Sequence, residues 1–193
     1  NDIVVLSGGT SKGAGDLSYQ VVERLPAPGI VAHGVALKPG KPICLAVTGN
    51  KPIVILPGFP TSAVFTFHEF VAPLIRGLAG RPQADRPVIS ALLPMRINSQ
   101  RGRTEYLLTN LAPGEDGLAA YPMGKGSGSV TTFSGADGFL TIPSQTEFIE
   151  AGAEVEIQLL GRELTPADLV VIGSHCIGLD LLLGELQSQG FST

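Results

Sequence analysis

The sequence predicts an α/β layer, followed by a small all-β domain and a short α/β tail. Three observations support this prediction. Over residues 1–80, apolar strand-like runs alternate with loops and helix-spaced segments, which is the pattern of an α/β layer. Residues 81–161 show short strands separated by turn signals, as in a small barrel or sandwich. Residues 162–193 indicate a linker and then the beginning of another strand-and-helix unit.

In the first region, apolar runs predict strands and three- and four-residue apolar spacing predicts helices. Ile3–Leu6 is a continuous apolar run, typical of a strand covered on both faces, and it meets a glycine-rich loop. The helical spacing covers Asp16–Leu25 and Ser62–Leu78, and the second helix follows hydroxyl residues and a proline that suit a helix start. The other predicted strands are Ile30–Leu37, Ile43–Val47 and Ile53–Leu56.

The second region predicts five strands and one hairpin turn. The sequence pattern changes near Gly80, where helix-spaced apolar residues become rare. The segment Pro113-Gly-Glu-Asp-Gly117 is a strong turn signal. In the tail, Asp168–Gly173 predicts a strand and Leu179–Gln187 a helix. The five predicted strands are Val88–Pro94, Thr104–Leu111, Leu118–Pro122, Gly138–Ile142 and Glu154–Leu160.

Composition excludes several classes of protein. The chain has 193 residues and is 44% hydrophobic, enough for one or two globular cores. Its net charge is −4 and its basic residues do not cluster, which argues against nucleic acid as the main partner. No apolar run reaches the roughly 18 residues of a membrane span, and no signal peptide is visible, so we expect a cytoplasmic protein. Cys44 and Cys176 lie far apart in apolar contexts, which predicts two buried free thiols.

Three loops carry residue types that bind anions. Ser7–Gly13 joins a predicted strand to a predicted helix, and its glycines let backbone N–H groups approach an anion. Lys38 and Lys41 flank a stiff Pro-Gly turn, which fixes where their ammonium groups point. Pro57–Ser62 is a second Pro-Gly turn that opens into the long predicted helix and could form an anion nest. The alternative for each loop is an ordinary turn, with the lysines simply solvated.

Asp16 has two interpretations at the entrance to the first predicted helix. Its carboxylate could accept N–H groups as a helix cap, or it could help to hold Mg²⁺ near a phosphate. In the second region, Arg101–Glu105 and Lys125–Ser129 are rich in donors, although hairpin chemistry alone would explain them. No Ser/His/Asp order indicates a hydrolase. The three histidines share no metal-ligand spacing: His33, His68 and His175.

In their order along the chain, these motifs resemble the molybdopterin molybdotransferase family, the MoeA and gephyrin E-domain type. That family shows Ser-Gly-Gly-x-Ser-x-Gly-x-x-Asp, Lys-Pro-Gly-Lys-Pro and Pro-Gly-Asn-Pro-x-Ser, then a β domain with Gly-Arg-x-Glu and Gly-Ser-Gly. The resemblance spans residues 1–160. One departure is Phe59, which stands where the family has asparagine. It replaces an amide side chain by an aromatic ring in the middle of that turn. The matching segments are Ser7–Asp16, Lys38–Pro42, Pro57–Ser62, Gly102–Glu105 and Gly126–Gly128.

The resemblance implies that molybdate is inserted into the dithiolene of adenylylated molybdopterin, with AMP released and Mg²⁺ assisting. It assigns catalytic roles to Lys38, Lys41 and Asp16, with Asp16 near the adenylate and its Mg²⁺. It requires no protein nucleophile, because the substrate dithiolene captures the metal. The implied residues that bind molybdopterin adenylate or molybdate are Ser7, Gly8, Gly9, Ser11, Gly13, Pro57, Gly58, Pro60, Ser62, Arg103 and Ser127.

The resemblance also predicts the domain organisation. Residues 1–80 would be the C-terminal part of a molybdopterin-binding α/β domain, and residues 81–161 the family's β-barrel domain. The family continues N-terminally of Asn1 and forms homodimers, so we expect a fragment that is inactive alone. Residues 162–193 are similar to the beginning of a periplasmic-binding-protein-like, LysR-type effector domain.

Two alternative functions stay open at this point. One is a non-catalytic module that binds molybdopterin or molybdate, or that serves as a scaffold. The other is a regulatory sensor fused to an effector domain. The sequence does not distinguish molybdate from tungstate, because the two oxyanions have nearly the same size and charge.

Overall fold

The computed structural model describes residues 1–10, 16–83, 86–124, 130–161, 167–169, 171 and 176–192. Its first part is a four-stranded sheet with helices on both faces. The strands are β1 (Val4–Ser7), β2 (Pro28–His33), β4 (Cys44–Thr48) and β5 (Lys51–Leu56), and a short β3 (Leu37–Lys38) lies outside this sheet. The helices are α1 (Ser18–Glu23), α2 (Pro60–Thr66) and α3 (Ala72–Leu78).

The first sheet has the order β1-β5-β4-β2, with β1 parallel to β5 and the other pairs antiparallel. The continuous apolar run of β5 is explained by burial on both faces. Ile53 and Ile55 pack towards α1, whereas Val54 and Leu56 pack towards the α2–α3 side. Because β1 and β5 run parallel, their carboxyl ends lie at one edge of the sheet, and so do the loops that follow them.

Two predicted elements of the first region are wrong in extent. Ile30–Leu37 is not one strand: β2 ends at His33, and Gly34 turns the chain with a φ of +91°, so that β3 pairs elsewhere. The predicted helix Ser62–Leu78 is interrupted by a π-helical turn, Phe67–Val71, in which the Ala72 N–H donates to the Phe67 carbonyl. Pro73 follows this turn and has no N–H for an α-helical bond, which accounts for the interruption at this place.

The second part is a six-stranded sheet in which five strands close into a barrel, while β3 pairs with β8 outside the closed ring. The sheet order is β10-β12-β6-β9-β8-β3, and an additional β10–β8 pairing closes it. Its core contains Leu93, Leu111, Ile142 and Ile157, all fully buried. All five predicted strands are present. The elements are β6 (Val88–Leu92), β7 (Ile97–Asn98), β8 (Thr104–Gly114), β9 (Gly117–Pro122), α4 (Val130–Ser134), β10 (Gly138–Ile142), β11 (Phe148–Ile149) and β12 (Glu154–Leu159).

The predicted hairpin turn is confirmed, since Gly114 pairs with Gly117 across a two-residue loop. A cluster of aromatic rings joins the barrel to α2. Phe65 of α2 stacks on Tyr106 of β8 at 5.1 Å between ring centroids, and it meets Phe133 and Phe139 edge-on at 5.9 and 5.1 Å. These contacts hold the α/β layer against the barrel.

The C-terminal segment contains α5 (Ile177–Ser188), which confirms the predicted helix. None of its residues is buried. In the predicted strand 168–173, the described residues Asp168, Leu169 and Val171 are not in a strand, and the others lie outside the described residues. The assignment of residues 162–193 to an effector domain stays a prediction. No helix within the described ranges is long and apolar enough to cross a membrane.

The two cysteines differ in environment. Cys44 is a buried free thiol, as expected, and burial raises its pKa. Cys176 is free but exposed, so the prediction that it is buried is wrong. It stands at the N-cap of α5, where its Sγ accepts the Leu179 N–H at 3.4 Å. The apolar context that suggested burial belongs to a helix that is itself exposed.

Candidate functional site

The loops after β1 and β5 lie side by side. The Gly8 N–H donates to the Leu56 carbonyl at 2.9 Å, and a methyl group on Gly58 would lie 3.7 Å from Gly8 Cα. Gly8 and Gly9 have φ values of +82° and +75°, a region that favours glycine, and a side chain at Gly9 would collide with Ser18. Gly8 and Gly9 are therefore required by the backbone of this loop, whereas Gly13 lies outside the described residues.

The structure decides between the two interpretations of Asp16 as far as the helix cap is concerned. The N-cap position of α1 belongs to Leu17, so the cap interpretation is wrong. Asp16 is half-buried at the end of the glycine loop. No group of three metal-ligating side chains occurs among the residues that the structure describes. Ser11 and Gly13, predicted to bind substrate, lie outside the described residues.

His33 is a structural histidine, as its lack of ligand spacing indicated. Its Nε2 lies 2.9 Å from the carbonyl of Thr10, and its ring stands 5.0 Å from that of Tyr19. Because a carbonyl only accepts, Nε2 carries the proton in this contact. The imidazole thus ties β2 to the glycine loop and to α1.

The lysine turn connects the two parts of the structure. Strand β3 runs parallel to β8, with Leu37 opposite Thr104 and Lys38 opposite Glu105. At the tip, Gly40 has a φ of +120°, and a methyl group there would lie 2.5 Å from Thr66 Cγ2. Thr66 is fully buried and its hydroxyl donates to the Ser62 carbonyl at 2.7 Å. The turn is therefore held between α2 and the barrel.

Lys38 is oriented by a buried carboxylate. Its Nζ lies 3.0 Å from Oε1 of Glu105, whose side chain is only 3% exposed, whereas the Lys38 side chain is 35% exposed. The other oxygen, Oε2, accepts the Ser99 hydroxyl at 2.7 Å. A carboxylate bound on both oxygens is itself fixed, so the ammonium group of Lys38 points in a defined direction.

A cavity of about 290 Å³ opens beside this ion pair. The lysine turn, the beginning of α2 and strand β8 form its walls. It contains four of the predicted site residues, Lys38, Lys41, Ser62 and Arg103. Among the described residues, neither Lys41 nor Arg103 has a carboxylate within ion-pair distance, whereas Lys38 does. The cavity is therefore cationic and suited to an oxyanion.

The remaining predicted residues are placed as follows. Ser7, Gly8 and Gly9 lie with Gly58 at the carboxyl edge of the first sheet, and none of them lines the cavity. Phe59 connects the two places, because it follows Gly58 and lines the cavity; the residue is 63% exposed. Ser127 lies outside the described residues, although Gly124, shortly before it, lines the cavity. Pro57 precedes Gly58 in the turn after β5, and Pro60 is the first residue of α2.

Comparison with known families identifies both parts of the chain. Residues 1–77 match a model described as "Probable molybdopterin binding domain". Residues 90–160 match the MoeA C-terminal region, domain IV. The chain belongs to the MoeA family. This confirms the resemblance seen in the five motifs.

Relatives in the MoeA family agree with this assignment. Molybdopterin molybdenumtransferase 2 of Mycobacterium tuberculosis is 30% identical over 81% of this chain. The molybdopterin molybdenumtransferase of Haemophilus influenzae is 31% identical over 81% of it. Two crystal structures of MoeA proteins from Pyrococcus horikoshii cover 82% and 80% of the chain, with 38% and 28% identity and TM-scores of 0.65 and 0.60. The chain spans only 39% of those two curated relatives and 37% and 35% of those structures.

Some residues that line the cavity were not predicted as site residues. Glu105 belongs to the Gly-Arg-x-Glu motif, but nothing in the sequence shows that it faces Lys38. Only the parallel pairing of β3 with β8 places them opposite each other. Thr61 and Tyr106 also line the cavity. Thr61 stands beside Ser62 in a motif already recognised, whereas Tyr106 had no signal beyond its place in a strand.

Proposed function

We propose that the protein to which this chain belongs is a molybdopterin molybdotransferase, which inserts molybdate into adenylylated molybdopterin and releases AMP. One observation supports this most directly. Lys38 and Lys41, which flank one turn, and Arg103, which comes from a distant part of the sequence, line one cavity together with Ser62. An oxyanion substrate requires this kind of convergence, and solvated surface cations do not.

The charges of the cavity suit the reaction. Molybdate is a dianion, and cleavage of the phosphoanhydride builds further negative charge on the leaving phosphate. Two cations that lack carboxylate partners among the described residues would stabilise that charge, and the hydroxyl group of Ser62 would add a donor. Lysine acts as a point charge, while the fork of Arg103 binds two oxygens of an oxyanion at once. The fixed direction of Lys38 limits the positions that molybdate can take.

Mg²⁺ and the adenylate belong to the glycine loop in this proposal. Mg²⁺ usually keeps several waters and is held by one or two carboxylates together with substrate phosphates. The single half-buried carboxylate of Asp16 fits such shared binding better than a closed protein site. The loop of Ser7, Gly8 and Gly9 would then contact the phosphate through groups other than the Gly8 N–H, which donates to the Leu56 carbonyl. A homodimer and a cytoplasmic location are part of the same proposal.

Substitution of Lys41 tests this function in the full-length protein. We expect Lys41→Ala to lower the rate of AMP release from adenylylated molybdopterin roughly 100-fold or more, the usual effect of removing one group that stabilises developing charge. The release should depend on both molybdate and Mg²⁺. Lys51→Ala is the matched control, because Lys51 is exposed on β5 and does not line the cavity. Unchanged turnover of Lys41→Ala would contradict the proposed site.

Phe59 favours a second candidate function, a module that binds molybdopterin or molybdate without catalysis. Its ring lines the cavity at the position where the family has asparagine. Titration of the full-length protein with molybdate and molybdopterin separates the two functions, since binding without AMP release indicates the module. If AMP release then appears in Phe59→Asn, the aromatic ring is what suppresses the chemistry.

A further inference from the structure

A second cleft lies behind the aromatic cluster. It has a volume of about 580 Å³ and is formed by α2, the π-helical turn, α3 and the edge of the barrel. Tyr106 lines the first cavity and stacks on Phe65, which lines the second cleft. The ring of Phe139 stands edge-on to both. These rings separate the second cleft from the proposed molybdate cavity.

Two arginines line this cleft without a carboxylate partner within ion-pair distance among the described residues. Arg76 extends from α3 and Arg86 from the segment before β6, and both are half-buried. Arg86 is oriented by two contacts. Its guanidinium carbon lies 5.4 Å from the centroid of Phe139, and its Nη1 is 3.5 Å from Oε1 of Gln158. Two guanidinium groups that line one cleft can together bind an anion.

The π-helical turn adds two titratable groups, His68 and Glu69. Burial is the largest cause that lowers the pKa of His68, and the positive charges of Arg86 and Arg76 lower it further. The imidazole is therefore neutral at pH 7. Glu69 is hydrogen-bonded to Tyr106, whose pKa is raised by burial and then by this carboxylate. The Glu69 carboxylate thus binds the tyrosine hydroxyl, and among the described residues it forms no ion pair with Arg76 or Arg86.

The rest of the wall is apolar. Phe133, Phe139, Val88 and Leu159 face the cleft, and Pro73 and Pro87 complete it. Ligand sites are commonly apolar clefts of roughly 300–1,000 Å³ with a few convergent polar groups. We propose that this cleft binds a small organic anion, with a phosphate-ester or carboxylate head between Arg76 and Arg86 and an apolar body against Phe133 and Phe139. This site is distinct from the molybdate cavity and does not depend on the proposed function.

Binding is tested with three probes on the full-length protein: phenyl phosphate, benzoate and inorganic phosphate. Affinities come from calorimetry, and the ring C–H signals of His68 come from NMR, assigned with His68→Gln. We expect phenyl phosphate or benzoate to bind at least tenfold more tightly than inorganic phosphate, because only these carry an apolar body. Binding of phenyl phosphate but not of benzoate would show that the cleft takes phosphate esters. Binding of benzoate would show that it takes carboxylates too. No binding of either, or equal binding of inorganic phosphate, would overturn the proposal.

Arginine substitutions test where the head binds. Arg76→Gln and Arg86→Gln should each weaken binding roughly tenfold or more, since each removes a charge-assisted contact. Arg81→Gln is the matched control: it removes the same charge from an exposed residue outside the cleft. Affinities unchanged in the two cleft variants, or lowered equally in the control, would refute the site.

The imidazole of His68 supplies a readout independent of affinity. Without ligand, Arg76→Gln and Arg86→Gln should raise the pKa of His68, because each removes a positive charge that lowers it. A bound anion should also raise it, so binding should strengthen as pH falls through that pKa. The charged groups around His68 are Glu69, Arg76 and Arg86, with Tyr106 bound to Glu69. A ligand that leaves the His68 titration unchanged binds elsewhere and contradicts the proposal.

Discussion

The Lys38–Glu105 ion pair predicts that its two partners contribute unequally to stability. Lys38→Met keeps the aliphatic stem but leaves the Glu105 carboxylate, 3% exposed, without its counter-ion. Glu105→Gln leaves an ammonium group on a side chain that is 35% exposed and therefore still reaches water. The new amide also keeps Ser99 as a hydrogen-bond partner. Loss of the lysine should therefore be the more destabilising change.

The expected magnitudes follow from these exposures. Removing one partner of a buried pair costs about 3–5 kcal/mol of unfolding free energy, which we expect for Lys38→Met. Glu105→Gln should cost about 1–2 kcal/mol, because it exchanges a charged hydrogen bond for a neutral one and the lysine is partly hydrated. In the double variant no charge is left buried, so its cost should also be about 1–2 kcal/mol. The coupling energy is then about 4 kcal/mol.

Urea unfolding of the four proteins at pH 7, followed by circular dichroism, measures this cycle. The exposed pair Arg101–Glu147 is the control, with a separation of 3.4 Å and side chains 71% and 59% exposed. The same cycle there should give a coupling of at most about 0.5 kcal/mol. A Lys38→Met variant no less stable than Glu105→Gln, or a coupling as small as the control's, would refute the claim that Glu105 is buried against Lys38.

Two further predictions concern the packing around the site. Gly40→Ala should lower the unfolding free energy by about 2–4 kcal/mol, because it adds a clash with Thr66 to a strained backbone. The control Gly49→Ala, at a φ of +52° with open space around it, should cost about 1 kcal/mol. Equal costs of the two variants in urea unfolding would contradict this account. Thr109→Val should be neutral or stabilising by up to about 1 kcal/mol, since the buried hydroxyl of Thr109 has no partner among the described residues. Thr66→Val should destabilise by about 1 kcal/mol, because it removes the hydrogen bond to the Ser62 carbonyl. If thermal unfolding shows Thr109→Val to be the less stable variant, the hydroxyl of Thr109 is hydrogen-bonded.

Much of the fold could be predicted because its signals are local. The apolar run of β5 and the five strands of the barrel follow from side-chain patterns within each segment. The extent of the long helix did not, since Pro73 introduces a π-helical turn whose cost depends on how the neighbouring residues pack. The burial of Cys176 was predicted wrongly because an apolar sequence indicates that a surface needs cover without showing that cover is present.

In the candidate site, too, local features were predictable from the sequence and contacts between distant segments were not. The glycine loop, the lysine turn and the Pro-Gly turn were recognisable because each needs particular residues at fixed spacing. Their family was also recognisable, since five such motifs occur in order. Their positions relative to one another were not: the glycine loop and the Pro-Gly turn meet because β1 is parallel to β5, while Arg103 joins the lysines because β3 pairs with β8.

The sequence by itself determined which residue types are present: lysines on a rigid turn, glycines in a loop after a strand, and five motifs that resemble those of the MoeA family. Only the tertiary structure decided how these residues are arranged. It placed Glu105 beside Lys38, left Lys41 and Arg103 facing one cavity, and set Arg76 with Arg86 in a second cleft. Residue type and spacing are properties of a segment, whereas the pairing of charges depends on contacts between residues far apart in the chain, which only the packed fold specifies.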